Sequence, residues 1–237
     1  MRATLLSVCA SLVGLVALVA CGGSTPPPAP VDTSHDEIHE VKPALKTHSE
    51  LGTVDPAAVQ RVFHGLSDKF LDCQKQGIDR VEVLAGNAKF FLRIGEDGRA
   101  KWAYLEAGSD IGDRDTEKCL LGLVMGARWP KPDGGGDAEA RYSTELLAQG
   151  RGASDWSADK VAAALGKNGD AIDQCKGGAS GLQATMYVGP GGKVLAVGVV
   201  TGSKDGDGKA ECLAKVLTKM KGLPSPGSWP AKVSFGL

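Results

Sequence analysis

The chain has 237 residues, 27 basic against 28 acidic side chains and a net charge of −1. That balance, with no basic stripe in either half, leaves no electrostatic case for nucleic acid as a partner. The length suits two small domains, and with aromatics at only 5% each needs support beyond its apolar core.

Met1-Arg2 is a short positive start, followed by an apolar run over residues 3–20 that closes on Leu18-Val19-Ala20-Cys21. This is the pattern of a bacterial secretion signal, residues 1–20, with a lipoprotein cleavage box. A small residue must precede the cut, and a thiol must follow it to receive diacylglycerol. An ordinary signal peptide or an uncleaved membrane helix is the plainer reading, but Gly22-Gly23-Ser24 and a proline run follow at once. Cys21 is therefore predicted to carry the lipid anchor, while Cys9 leaves with the signal. Two or three acyl chains give stable anchoring. Gly22 is not the aspartate that holds lipoproteins at the inner membrane in enteric bacteria. The expected location is the outer membrane, facing the periplasm.

Residues 21–54 contain Pro26-Pro27-Pro28, Pro30, scattered Ser and Thr and few large apolar side chains. Such a stretch buries too little surface to repay its ordering entropy and reads as a flexible tether. His35 and His39, four apart among acidic residues, have metal-ligand spacing, but no rigid second shell is at hand to hold them. No metal is assigned.

The first module spans residues 55–147. Asp55-Pro56 reads as a helix start, and Val59, Val62, Phe63, Leu66, Phe70 and Cys73 recur at steps of three and four, predicting one helix to about Gln74. Ala88, Phe90, Leu92 and Ile94 alternate as a strand, turning at Gly95-Glu96-Asp97-Gly98 into an antiparallel partner over 101–107. A second helix over 113–128 buries Cys119, Leu120, Leu123 and Val124, and Trp129-Pro130-Lys131-Pro132 stops it. A third strand follows over 138–147.

The same order recurs in residues 157–237. Ser157 is placed as a helix cap, with Val161, Leu165, Ile172 and Cys175 facing inward. Leu182, Ala184, Met186 and Val188 match Ala88, Phe90, Leu92 and Ile94 at a constant offset. Cys212, Leu213, Val216 and Leu217 match Cys119, Leu120, Leu123 and Val124, and the last strand is 231–237. The predicted fold class is α+β, with two tandem α-β-β-α-β modules. Each is a three-stranded antiparallel sheet carrying two helices on one face. The linker, residues 148–156, permits either a hinge or packing of one module on the other.

Four cysteines remain, two per module. In an oxidising periplasm the repeat singles out Cys73 with Cys119 and Cys175 with Cys212 from three pairings. There is no C-x-x-C, so a redox or metal role is the weaker reading.

The element order, the cysteine before the strand pair, the G-x-D-G-type turn, the second cysteine on the next helix and the tryptophan-proline exit resemble a known family. It is the disulfide-bearing branch of TonB C-terminal-like domains, of the AgmX/PglI gliding-motility type. The resemblance covers both modules and not the tether; Leu223 stands in the second where Trp129 stands in the first. It implies an interaction domain that lends a sheet edge to a partner strand, in a motility or transport machine of the cell envelope. The expected partners are cell-envelope proteins, docking on the edges at residues 141–145 and 232–235.

An enzyme is the contrasting class. His64 has no copy in the second module, no nucleophile, base and acid fall in a recognisable order, and Gly134-Gly135-Gly136 lie in a loop before a strand and not in a phosphate cradle. No catalytic or cofactor-binding residue is assigned. The alternative function is a lipoprotein that binds peptidoglycan, another glycan or a small ligand, with Trp102 and Tyr104 stacking on sugar.

Overall fold

The computed structural model describes residues 51–237. The predicted signal, Cys21, His35, His39 and nearly all of the tether lie outside the described residues. At Asp55 the local chemistry is the expected one. The Asp55 carboxylate accepts the N–H groups of Ala57 at 2.9 Å and Ala58 at 3.2 Å, opening α1 (Pro56–Gly65). The single helix predicted to Gln74 is instead two. Past Gly65, the Leu66 N–H turns back to the Phe63 carbonyl at 3.0 Å, and α2 (Ser67–Ile78) begins. Glycine is weak in a helix interior, and the buried Leu66 fills the bend. Both helices thereby bury their apolar faces in one core, α1 through Val59 and Phe63, α2 through Phe70 and Cys73.

Strands β1 (Gly86–Ile94) and β2 (Ala100–Leu105) pair antiparallel across a turn in which Gly98 takes φ of 74°. Helix α3 (Arg114–Gly126) is capped by Asp113, whose carboxylate accepts the Thr116 N–H at 3.1 Å. Strand β3 (Ala138–Leu146) returns antiparallel to β1, giving the sheet order β2-β1-β3. Ala88, Phe90, Leu92 and Ile94 are buried with Leu120 and Val124 beneath the helices. Trp129 closes this core: its indole N–H donates to the Val124 carbonyl at 3.1 Å, and its ring lies 4.8 Å from Phe63.

The second half repeats the sequence of elements with an addition. The predicted linker contains β4 (Ser154–Asp155), followed by α4 (Asp159–Lys167), α5 (Gly169–Lys176), β5 (Gln183–Val188), β6 (Val194–Val200), α6 (Asp207–Thr218) and β7 (Ala231–Gly236). Ser157 does not cap α4; its hydroxyl bonds the Asp159 carboxylate, and Ala158 stands at the cap. Strand β4 runs parallel to β7, held by Ser154 N–H to Pro230 O and Trp156 N–H to Lys232 O, both at 2.9 Å. The second sheet is therefore four-stranded and mixed, β4-β7-β5-β6, where a three-stranded antiparallel sheet was expected. The short connection has backbone groups to satisfy, and the open flank of β7 supplies their partners.

The structure joins Cys73 to Cys119, bridging α2 to α3, and Cys175 to Cys212, bridging α5 to α6; the Cα–Cα distances are 5.8 and 5.5 Å. The two halves belong to one compact unit. Among the described residues no helix is long and apolar enough to cross a membrane.

Candidate docking edge and the junction between the halves

Where the halves meet, the outer face of the second sheet is covered by the first half. Thr185, Tyr187, Ala196 and Gly198 share that face by register, and Tyr187, Ala196 and Val200 join the first half's core. The Tyr187 hydroxyl reaches Ala85, donating to its carbonyl at 2.7 Å and accepting its N–H at 3.1 Å. Burial pushes this phenol well above its ordinary range. Lys232 reaches the same carbonyl at 2.8 Å and pairs with Asp110 at 2.9 Å.

A second group of contacts comes from the first turn of α3. Arg114, itself buried, pairs with Asp207 and lies 3.7 Å from Glu211 on α6. Glu117 is 1% exposed and accepts the Val199 N–H at 3.2 Å, with Arg114 at 3.6 Å. Burial raises its carboxyl to about 7, with Arg114 and the Val199 N–H pulling the other way. The carboxyl fits because residue 198 is glycine: a Cβ there would collide with Glu117 Oε1. These contacts fix one half against the other, and the linker is not a free hinge.

On the far side of the first sheet, β3 pairs with β1 and, among the described residues, with no strand along its other flank. The polarity of that flank follows from the ladder. Glu106 N–H donates to Lys89 O at 2.8 Å and Asp110 N–H to Asn87 O at 2.9 Å, so odd-numbered residues of β1 aim their backbone groups away from β3. The hydrogen-bonded pairs of β1 and β3 are then Ala88 with Thr144, Phe90 with Tyr142 and Leu92 with Ala140. By alternation Glu139, Arg141, Ser143 and Glu145 turn their N–H and C=O groups outward. Just before the strand, the matching outward carbonyl of Asp137 accepts the Gly52 N–H at 2.8 Å.

Beside this edge runs a groove of about 350 Å³, walled by Val54, Pro56, Val59 and Gln60 on one side and residues 139–142 on the other. Tyr142 is held in place by stacking on Phe63, with ring centroids 4.0 Å apart. His64, on the exposed side of α1, meets Tyr142 edge-on at 6.5 Å. Of the two predicted edges, residues 141–145 are open. The other, residues 232–235, is not free at its start: Lys232 pairs with Asp155 of β4 and its ammonium is engaged at the junction.

Trp102 and Tyr104 do lie on the face of the first sheet turned away from the helices, together with Phe91. Tyr104 and Trp102 stack on Phe91 at 5.1 and 5.4 Å, and the Arg141 guanidinium sits 4.3 Å from the Phe91 centroid. Trp102 and Tyr104 also lie nearly parallel to each other at 5.9 Å, both half-buried against the buried Phe91 ring.

Sequence alone does not point to Tyr187, Glu117 or Arg114, and it places Lys232 on a docking edge where the structure has its ammonium at the junction. A signal was present in part: Thr185, Ala196 and Gly198 make a small-residue face around one tyrosine, which is a surface shaped for close approach. No group of His, Cys, Asp and Glu suited to a metal ion occurs among the described residues. No protein-family model, curated protein or solved structure matches the chain.

Proposed function

We propose that this chain is a lipid-anchored protein of the bacterial outer membrane, facing the periplasm. On this reading it is built of two tandem α-β-β-α-β modules of the TonB C-terminal-like kind and works by docking an extended strand of a cell-envelope partner, not by chemistry. The observation that carries the reading is the outer flank of β3, unpaired among the described residues, beside the α1 groove, where main-chain groups and apolar walls lie together.

The tandem origin is supported by equivalent close contacts in the two halves. Gly98 and Gly192 both take positive φ, and a Cβ on either would strike the carbonyl of Trp129 and Leu223 respectively. A docking role in place of catalysis is supported by the use made of the buried titratable groups. Glu117 accepts the Val199 N–H and the Tyr187 hydroxyl is taken up by Ala85, so both groups are spent in binding one half to the other. Docking of protein in place of glycan is favoured by the packing of Trp102 and Tyr104 on the buried Phe91 ring, over which the Arg141 guanidinium also lies.

The test is photocrosslinking in cells with the full-length chain, placing the probe in turn at Gln60 and Ser143 beside the edge and at Lys167 in the second half. The expected result is one recurrent envelope protein captured from Gln60 and Ser143 and not from Lys167. The same background from all three positions removes the docking reading. Intact mass of the processed chain, with acyl chains on Cys21 or without them, tests the anchor separately.

A further inference from the structure

Resting on the reading of β3 as a docking edge, we infer that the strand it accepts is β3 of a second copy of this chain, antiparallel about a two-fold axis through Ser143. A two-fold contact must be self-complementary, each residue meeting a partner whose own partner it is. The odd-numbered residues of β3 carry both the outward backbone groups and the side chains of the exposed face, so they must meet odd-numbered residues across the axis.

Charge then selects the register, since an axis at Thr144 would set Ser143 against Glu145 and leave Arg141 opposite Leu147 with no carboxylate to meet. An axis at Arg141 opposes arginine to arginine, and one at Tyr142 opposes Glu139 to Glu145. Like charges directly opposite destabilise a strand pair. An axis at Ala140 sets Glu139 against Arg141 but needs the outward groups of Asp137, and Gly52 already takes its carbonyl. An axis at Ser143 leaves Asp137 out. It opposes Arg141 to Glu145 twice, pairs Ser143 with itself and runs the ladder over residues 140–146. It also brings Leu147, 67% exposed and the most exposed of the large apolar side chains described, beside the partner copy.

Among the described residues Glu145 is exposed and makes no ion pair; Arg141, its side chain 63% exposed, holds Glu106 at 3.0 Å and lies over the Phe91 ring, leaving further N–H groups for a carboxylate. The result is a continuous six-stranded sheet, β2-β1-β3-β3-β1-β2, with both α1 grooves at its centre. If both copies are anchored in one membrane, their confinement raises their effective concentration, so a modest strand pair suffices.

The experiment uses the full-length chain, exported in cells, carrying Ser143→Cys and treated with a short bismaleimide. The expected product is a covalent dimer. Glu145→Arg, which sets arginine against arginine and breaks no contact found within the monomer, lowers the dimer fraction about tenfold. Combining it with Arg141→Glu restores the dimer. A chain whose introduced thiol reacts fully with a monofunctional maleimide yet gives no dimer overturns the proposal, as does a dimer indifferent to Glu145→Arg. Capture of another envelope protein at residue 143, with no self-crosslink, overturns self-pairing and leaves strand docking standing.

Discussion

The Tyr187 hydroxyl and the backbone of Ala85 satisfy each other completely: the hydroxyl donates to the Ala85 carbonyl at 2.7 Å and accepts the Ala85 N–H at 3.1 Å. The two residues come from different halves of the chain. A flexible pair of domains has no use for such a contact, because it is lost on any relative rotation. Tyr187→Phe keeps the ring and removes both bonds, leaving the Ala85 N–H without this partner. It is expected to cost about 1–3 kcal/mol, read as a lower denaturant midpoint with an unchanged slope.

Gly198 has a sharper role. Any side chain there meets the Glu117 carboxylate, since even a Cβ would overlap Oε1. Gly198→Ala is therefore expected to force the halves apart and replace one unfolding transition by two. Gly166, in α4, has nothing within 4 Å of its Cβ position. Gly166→Ala is expected to raise stability by about 0.5–1 kcal/mol. A calorimetric scan of both variants checks the pair.

Glu117 makes the junction sensitive to pH. Its carboxyl titrates near 4.5 when unfolded and near 7 in the fold, so the folded state holds the proton more tightly. The associated stability is fully present below pH 4.5 and is lost as pH rises through about 7, on the order of 3 kcal/mol. Glu117→Gln keeps an acceptor for Val199 and removes the titration. Denaturation midpoints at pH 5 and pH 8 are expected to differ less in this variant than in the parent, with the variant the more stable at pH 8.

The disulfides close long loops, with sequence separations of 46 for Cys73–Cys119 and 37 for Cys175–Cys212. On the chain-entropy relation, each lowers the entropy of the unfolded chain by the equivalent of about 4 kcal/mol. The double variant Cys73→Ser/Cys119→Ser is expected to lose roughly that much. Because the halves share the junction, the loss is expected to appear in the single global transition and not in a separate one for the first half. Urea denaturation followed by tryptophan fluorescence checks this.

Much of the architecture was legible in the residues because the signals are local. Alternation in Ala88, Phe90, Leu92 and Ile94, steps of three and four from Val59 to Cys73, and the helix start at Asp55-Pro56 report on neighbours within a few positions, and the elements formed there. The helix break at Leu66 was less legible, since the apolar steps run through it and only tertiary packing decides that Leu66 fills a bend.

The sequence by itself determined an α+β chain with its apolar faces in phase and its four cysteines set on helices that meet. Tertiary structure alone decided the rest. Strand β4 pairs with β7 because residues 154–156 needed main-chain partners, and pairing between segments so far apart in the chain leaves no periodic trace. That Tyr187, Glu117 and Lys232 join two halves, while residues 141–145 stay open, depends on which face of one sheet another element covers. Burial of an outward-facing side chain is a property of the assembled surfaces and not of the strand that carries it.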